Sequence, residues 1–273
     1  MLEGAQPLLL VGAGKMGGAM LDGWIRHGLD PRQVTVLDPF LDEHRRADLT
    51  QGGAKHASKA DQVEGQPFKV LVLAVKPQSM PEVLPAVAPL AGPDTVVMSI
   101  AAGARLAALQ APFGPAQPVV RAMPNTPAQV GQGMSVAVPN SEVSSGQRGV
   151  VDTLLAAVGK VAWIDDEALI DAVTAVSGSG PAYVFLLAEC LAEAGRQAGL
   201  PAGLADLLGR QTVVGAGALL ANSPLAPAAL RQNVTSPKGT TAAALSVLMA
   251  DVGLQPLMNR AVEAAKKRSI ELG

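Results

Sequence analysis

The stretch Leu8-Leu9-Leu10-Val11-Gly12-Ala13-Gly14-Lys15-Met16-Gly17 joins a short apolar run to three spaced glycines. The apolar run predicts a buried strand, and the residues after Gly17 have the spacing of an amphipathic helix. A Gly-x-Gly-x-x-Gly loop between a strand and a helix is typical of a dinucleotide-binding site. Its glycines permit a tight turn, close approach of a pyrophosphate and close packing of the helix on the strand. We therefore predict cofactor contacts at Gly12, Ala13, Gly14, Lys15, Met16 and Gly17.

A second strand-like run, Val34–Leu37, ends at Asp38, which follows Gly17 by 21 residues. An acid at that distance is expected to accept a hydrogen bond from the ribose 2′-hydroxyl of NAD and to repel a 2′-phosphate. In the alternative interpretation, Asp38 only opens a turn with Pro39. Arg45 and Arg46 lie one helical turn away and could meet a 2′-phosphate. The choice between NADH and NADPH therefore stays open.

The two parts of the chain differ in their hydrophobic pattern. Through residue 164, short apolar runs alternate with helical stretches, which predicts a parallel sheet with right-handed crossovers. From residue 165, Ala, Leu and Val recur at helical spacing, and the small side chains would let helices pack closely. We therefore expect an α/β N-terminal Rossmann-type dinucleotide-binding domain (1–164) followed by an all-α C-terminal dimerisation domain (165–273). The predicted strands are Leu8–Val11, Val34–Leu37, Val70–Val75, Val96–Ile100, Val119–Arg121 and Met134–Val138, and the predicted helices of the second part lie near 168–176, 180–198, 202–222, 239–251 and 255–271.

Composition excludes several classes of protein. Hydrophobic residues make up 49% of the chain, charged residues 16%, and the net charge is −2, which is the opposite of a disordered chain. The sequence has no cluster of Lys and Arg residues that would predict nucleic-acid binding. One cysteine and three scattered histidines are too few for a structural zinc site, so we expect no metal. Cys190, in an apolar helical context, is interpreted as a core residue rather than a nucleophile.

No segment predicts secretion or a membrane span. The apolar run Leu8–Val11 is too short for a signal peptide. The stretch 205–221 is interrupted by Arg210, Gln211 and glycines, so we interpret it as a buried core helix. A cytoplasmic protein is therefore expected.

The ends of the later strands supply further candidates, because ligands of open α/β sheets bind beyond the carboxyl ends of the strands. These ends are Ala74–Gln78, Ser99–Gly103 and Arg121–Pro127. The small residues at 101–103 would let a nicotinamide ring lie against the backbone. In the alternative interpretation these segments are ordinary loops, in which Asn125 and Thr126 only hold a turn.

Five motifs together carry a resemblance to the pyrroline-5-carboxylate reductase family. They cover nearly the whole chain in the order of that family, and the last two are specific to it. The resemblance implies hydride transfer from NADPH or NADH to the C=N bond of 1-pyrroline-5-carboxylate, giving L-proline. It also implies a homodimer that interlocks through the helical domain, with a larger ring of dimers possible. The motifs are Gly12–Gly17, Ala74–Pro77, Met123–Pro127, Ser177–Tyr183 and Asn233–Thr241.

The resemblance also implies particular site residues. Two departures from the family are Lys238, where members often have Gly, and Asp38, where NADP-using members often have a small hydroxyl residue. The implied cofactor contacts beyond the glycine loop are Val75, Lys76 with the adjoining Pro77, and Ala101. The implied substrate contacts are Glu167, Asn233, Thr240 and Thr241, with Val234 and Ser236 beside them.

The residues themselves suggest how such a reaction proceeds. The second domain has no histidine, and an imine, unlike a ketone, can be protonated before the hydride arrives, so positioning does most of the work. We predict that the Thr241 hydroxyl bonds the ring nitrogen and that the helix opened by Gly239 binds the substrate carboxylate. In the alternative interpretation Thr240 and Thr241 are helix caps. Glu167 has a corresponding alternative, as one of three acids that favour a helix start.

Two other functions remain as alternatives. A β-hydroxyacid dehydrogenase has a similar glycine loop, but it needs a catalytic lysine on its interdomain helix, and no lysine lies between Lys160 and Lys238. A non-catalytic NAD(P)-sensing protein would keep the glycine loop but would not need the Asn233–Thr241 segment.

Overall fold

The chain divides into two compact units. The computed structural model describes residues 2–65 and 67–272. The helical unit is Ser179–Ala265, and the sheet unit contains the chain through Gly178 and again from Lys266. The predicted division between residues 164 and 165 falls earlier in the chain than this structural boundary.

The sheet unit contains one eight-stranded sheet with the order β3-β2-β1-β4-β5-β6-β7-β8. All neighbouring strands are parallel except β6 and β7. The prediction of a wholly parallel sheet is therefore wrong at this pair. Only residues 124–132 join β6 to β7, and a parallel crossover needs about a dozen residues or more. The strands are β1 (Leu8–Val11), β2 (Val34–Leu37), β3 (Lys55–Ala57), β4 (Val70–Leu73), β5 (Val96–Ser99), β6 (Val119–Met123), β7 (Gly133–Pro139) and β8 (Gly159–Trp163).

The sequence pattern missed the two edge strands, β3 and β8. Lys55 in β3 and Lys160 in β8 are exposed, so neither strand has the continuous apolar run of a strand buried on both faces. Edge strands pair on one side only and often carry charged residues. Such strands escape a search for buried apolar runs.

Strand β1 lies between two hydrophobic cores. Leu8 and Leu10 face one core, and Leu9 and Val11 face the other. Trp24 of α1 (Lys15–Arg26) is fully buried in the first core, where its Nε1–H donates a 2.8 Å hydrogen bond to the Leu154 carbonyl of α5 (Ser145–Ala156). Burial on both faces explains why β1 is apolar without alternation. The helices of this unit are α1 (Lys15–Arg26), α2 (Glu43–Gln51), α3 (Met80–Val87), α4 (Leu106–Gln110), α5 (Ser145–Ala156) and α6 (Ile170–Val173).

The helical unit is built around one close pair, α7 (Gly180–Gln197) and α8 (Ala202–Asn222). Gly209 lies so near α7 that a Cβ there would be 2.8 Å from the Ala188 carbonyl oxygen. The remaining helices are α9 (Pro227–Asn233), which the periodicity did not reveal, α10 (Thr240–Leu248) and α11 (Leu254–Leu272), whose last residues belong to the sheet unit. Small residues thus replace a large core here.

Most exposed large apolar side chains among the described residues lie in the helical unit. Cys190 is also exposed, so its interpretation as a core residue is wrong for the single chain. The same holds for the stretch 205–221, where only Ala205 and Gly209 are buried. By length and composition alone, the helical stretch Glu167–Gln197 would be apolar enough to cross a membrane, and 11% of its most apolar window is buried. The exposed apolar side chains of the helical unit result from its packing, because α7 and α8 contact each other through alanine and glycine and leave their larger side chains uncovered.

Lys238 carries a backbone strain that a substitution series would expose. Its φ of +61° lies in the left-handed region, which costs a non-glycine residue about 1–3 kcal/mol. We expect Lys238→Gly to leave the free energy of unfolding equal or slightly higher, and Lys238→Val to lower it by about 1 kcal/mol or more. Thermal unfolding at fixed protein concentration measures both. Lys238→Asn, which tolerates this conformation, is the control, and equal stability of the Val and Gly variants would contradict the assignment.

Candidate active site

Three glycines shape the loop between β1 and α1, each in a different way. Gly12 has a φ of +89°, and a Cβ there would lie 2.9 Å from the Ala74 carbonyl oxygen and from Val75 Cγ1. A Cβ on Gly17 would overlap the Gly12 carbonyl oxygen. A Cβ on Gly14 would meet nothing within 4 Å, so this position opens onto free space. The first and third glycines are required by packing, and the second keeps the backbone accessible.

This free space fits a pyrophosphate. Gly14 is the N-cap of α1, no side chain caps the helix, and its first turn has no acidic residue. The unpaired N–H groups and the positive end of the helix dipole favour an anion at this position. A groove of about 620 Å³ runs beside the loop, and its lining includes Ala13, Gly14 and Lys15. The residues present therefore fit a dinucleotide cofactor.

Asp38 lies against the glycine loop. Its Oδ2 accepts a 2.8 Å hydrogen bond from the Ala13 N–H, and its Oδ1 accepts a 2.9 Å bond from the Phe40 N–H. The second bond closes the turn at Asp38 and Pro39 that the alternative interpretation predicts. The first bond was not expected, and it fixes the carboxylate at the end of β2 beside the glycine loop.

The other predicted cofactor residues also lie at the carboxyl edge of the sheet. Val75 follows β4, and its Cγ1 would lie 2.9 Å from a Cβ at Gly12. Ala101 follows β5 and is buried. Lys76 is extended (φ −65°, ψ 147°), as expected before Pro77, and its side chain is exposed. Since β4 pairs with β1 and β5 pairs with β4, the sheet brings these segments to one edge.

Glu167 forms an ion pair that the sequence interpretation did not include. Its Oε1 lies 2.6 Å from Arg121 Nη1 and accepts a 2.8 Å hydrogen bond from the Leu106 N–H. The Arg121 side chain is 6% exposed and that of Glu167 is 29% exposed. A charged residue inside the apolar run Val119–Met123 needs a partner of opposite charge. The presence of Arg121 in that run is therefore the sequence feature that could have predicted an ion pair. The helix-start role belongs to Asp166, whose carboxylate accepts from the Ala168 N–H.

Asn125 joins two of the sequence motifs. Its Nδ2 donates to the carbonyl oxygen and the hydroxyl of Ser177 at 3.2 and 3.3 Å, and its Oδ1 accepts a 2.8 Å bond from the Met134 N–H. Ser177 lies in the π-helical turn Thr174–Gly178. Turns of this kind occur often at functional sites. Asn125 therefore does more than hold its own turn.

The substrate candidates of the helical unit lie around the start of α10. Gly239 is the N-cap, and no side chain caps the helix, so the interpretation of Thr240 and Thr241 as caps is wrong. Thr241 is half-buried, whereas Thr240 is exposed. Asn233 is the last residue of α9, and Val234 and Ser236 follow it as exposed residues. Thr241 thus has a hydroxyl that helix capping does not use.

Among the residues that the structure describes, no group of three or more His, Cys, Asp or Glu side chains is arranged to hold a metal ion. The described site residues instead offer backbone amides, small or apolar side chains, one side-chain amide, three hydroxyls, two lysines and two carboxylates that are held by hydrogen bonds. These groups bind and orient ligands.

Comparison with known proteins gives matches over both units. The family model for pyrroline-5-carboxylate reductase dimerisation matches residues 167–272, and a model for NADP oxidoreductase, coenzyme F420-dependent, matches residues 8–103. A pyrroline-5-carboxylate reductase of Pseudomonas aeruginosa is 42% identical over 271 residues, which cover 97% of this chain and 96% of the relative. The matched segments follow the predicted order of the two domains.

Solved structures agree with these matches. A pyrroline-5-carboxylate reductase from Coxiella burnetii has a TM-score of 0.90 and 34% identity, covering 98% of this chain and 99% of the other. A pyrroline carboxylate reductase from Plasmodium falciparum with NADP bound has a TM-score of 0.82 and 29% identity, covering 98% of both chains. The predicted fold class and the resemblance are confirmed. With such identity over nearly its full length, the chain belongs to the pyrroline-5-carboxylate reductase family.

Proposed function

We propose that this chain reduces the C=N bond of 1-pyrroline-5-carboxylate with NADPH or NADH and releases L-proline, the last step of proline biosynthesis. One observation carries the proposal: the glycine loop is shaped for a pyrophosphate in a chain that matches this family of reductases over nearly its whole length. That full-length match favours a reductase over the two alternatives, a β-hydroxyacid dehydrogenase and a non-catalytic sensor.

The sheet unit holds the cofactor. The loop Gly12–Gly17 and the first turn of α1 bind the pyrophosphate through backbone N–H groups. Val75, Lys76, Pro77 and Ala101 would border the nicotinamide, and Asp38, which is bonded to the Ala13 N–H, would face the adenosine ribose. When bound, the reduced nicotinamide supplies the hydride. No protein side chain has to carry the redox change.

The remaining residues bind and orient the substrate. The protonated imine loses its positive charge when the hydride reaches carbon, so no anionic intermediate needs a strong acid or an oxyanion hole. The Thr241 hydroxyl bonds the ring nitrogen of the substrate, and Glu167 is a further substrate contact that the family resemblance implies. Backbone N–H groups of Gly239, Thr240 and Thr241 bind the substrate carboxylate, with Asn233, Val234 and Ser236 beside them.

The protein partner is a second copy of this chain, which binds through the region that matches the family's dimerisation model. The exposed apolar side chains of the helical unit are the surface that such a partner would cover. A larger ring of dimers and a cytoplasmic location are part of the proposal.

The direct test is an assay with 1-pyrroline-5-carboxylate and each reduced cofactor, followed by the loss of absorbance of the nicotinamide. We expect cofactor oxidation that depends on the substrate and formation of an equal amount of proline. Tight cofactor binding without oxidation would refute the enzymatic part of the proposal and favour the sensor.

Two glycine variants separate the fold from cofactor binding. Gly17→Ala should lower the free energy of unfolding by about 1–3 kcal/mol, because the new methyl group would overlap the Gly12 carbonyl oxygen. Gly14→Ala should leave stability nearly unchanged but raise the Kd for NADH by about tenfold or more, because it fills the open approach to the backbone. Denaturant unfolding and calorimetric titration measure the two effects. Unchanged cofactor affinity in Gly14→Ala would contradict the proposed pyrophosphate site.

Thr241→Ala tests the proposed substrate contact. Loss of one hydrogen bond to a charged group should lower kcat/KM for 1-pyrroline-5-carboxylate by about tenfold, while the Tm changes little since the hydroxyl does not cap α10. Thr241→Ser keeps the hydroxyl and is the control. Steady-state kinetics of both variants decide the matter, and wild-type kinetics in Thr241→Ala would remove this residue from the mechanism.

The pair Arg121–Glu167 has a structural and a proposed functional role, which a double variant separates. Arg121→Met alone leaves a half-buried carboxylate unpaired and should cost about 2–3 kcal/mol. Arg121→Met with Glu167→Leu should recover most of that stability, since an apolar pair replaces an ion pair. We expect KM for 1-pyrroline-5-carboxylate to be higher than in the wild-type protein in both variants, because the double variant still lacks the Glu167 carboxylate. Recovery of both stability and KM would show that the pair is structural only.

A further inference from the structure

The groove beside the glycine loop contains a charged pair that bears on the choice of cofactor. Arg45 in α2 forms an ion pair with Asp22 in α1 through its Nη2 and the Asp22 Oδ1. Both side chains line the groove together with Ala13 and Gly14. Arg45 is 28% exposed and Asp22 is 43% exposed, so the pair is half-buried at the groove wall. One of the two guanidinium groups that line the groove, that of Arg45, is thus already engaged.

The helix that carries Arg45 is itself fixed. Asp42 caps α2, and its Oδ1 accepts a 2.9 Å hydrogen bond from the Arg45 backbone N–H. Arg46, the other arginine of this turn, lies 3.9 Å from Glu43, and His44 lies 3.2 Å from Asp48. Of the two arginines, it is therefore Arg45 that the structure brings to the groove and holds there.

A fixed negative charge, the Asp38 carboxylate, is bonded to the backbone of Ala13. Both carboxylate oxygens of Asp38 accept hydrogen bonds from backbone N–H groups, so the carboxylate cannot swing away from the end of β2. In doubly wound folds this is where the adenosine ribose lies. A ribose hydroxyl can donate a hydrogen bond to such a carboxylate, whereas a 2′-phosphate would be repelled by it.

We infer that Asp22 is a specificity-determining residue: by pairing with Arg45 it withholds that guanidinium from a 2′-phosphate, and with Asp38 it makes the site prefer NADH to NADPH. A 2′-phosphate would have to compete with Asp22 for Arg45, and the fixed Asp38 carboxylate would repel it. Lys15 and Arg26 also line the groove, and they lie on α1 rather than on the segment that follows β2. The inference rests only on the cofactor-binding part of the proposed function.

The test measures Kd for NADH and NADPH by calorimetry on the full chain without substrate. The wild-type protein should bind NADH about tenfold more tightly. Asp22→Asn frees Arg45 and should tighten NADPH binding about fivefold to tenfold, while Kd for NADH changes less than twofold. Asp48→Asn is the matched control, because it removes the same charge from the partner of His44 and leaves Arg45 paired. Arg45→Ala added to Asp22→Asn should abolish the gain.

Each result is decisive. The inference is overturned if the wild-type protein prefers NADPH, if Asp22→Asn changes both affinities equally, or if Asp48→Asn gives the same gain, which would make net charge the cause. Thermal unfolding of each variant checks that the fold is intact. Binding of both cofactors without discrimination overturns the inference and leaves the reductase proposal standing. The expected affinities with no reduction of 1-pyrroline-5-carboxylate would refute the substrate and leave the inference standing. Binding of neither cofactor would refute both.

Discussion

The sheet unit depends on the close contact of α1 with the end of β1. Gly17 packs directly on the Gly12 carbonyl oxygen, a distance that no side chain allows, and Gly12 adopts a left-handed φ beside Ala74 and Val75. This contact joins α1 to β1, an interior strand of the sheet whose alternating residues belong to two cores. It also points the free N–H groups of α1 at an open space. One packing constraint thus builds both the core and the anion site.

Charge is placed sparingly around that frame, and the carboxylates of Glu167, Asp38 and Asp22 are each held by a partner. Arg121 enters the apolar strand β6 because Glu167 accepts from it, and the same Glu167 oxygen also binds the backbone of α4. Asp38 is held by two backbone amides, and Arg45 is held by Asp22. Fixed charges discriminate between ligands better than mobile ones, because a fixed carboxylate cannot retreat from a phosphate. A site with this design selects by position rather than by strong acids or bases.

The helical unit follows a different principle. Ala192, Ala205 and Gly209 let α7 and α8 touch, but they bury little apolar area, and the larger side chains face outward. This region matches a family model for dimerisation, and an exposed apolar surface of this kind is typical of a protein interaction surface. The candidate substrate segment belongs to the same unit. Its Thr241 hydroxyl is not used for capping, since Gly239 occupies the N-cap position of α10.

The sequence by itself determined the elements whose signals are local. The strands β1 and β2, the glycine loop and the helices α7 and α8 follow from apolar runs, glycine spacing and helical periodicity, each visible within a few turns of chain. The resemblance in five motifs determined the family. Tertiary structure alone decided the antiparallel β7, the edge strands, the Arg121–Glu167 and Asp22–Arg45 pairs, and the outward side chains of α7 and α8. Those features depend on contacts between residues far apart in the chain. A local sequence pattern does not show which distant residues come into contact, so it cannot predict them.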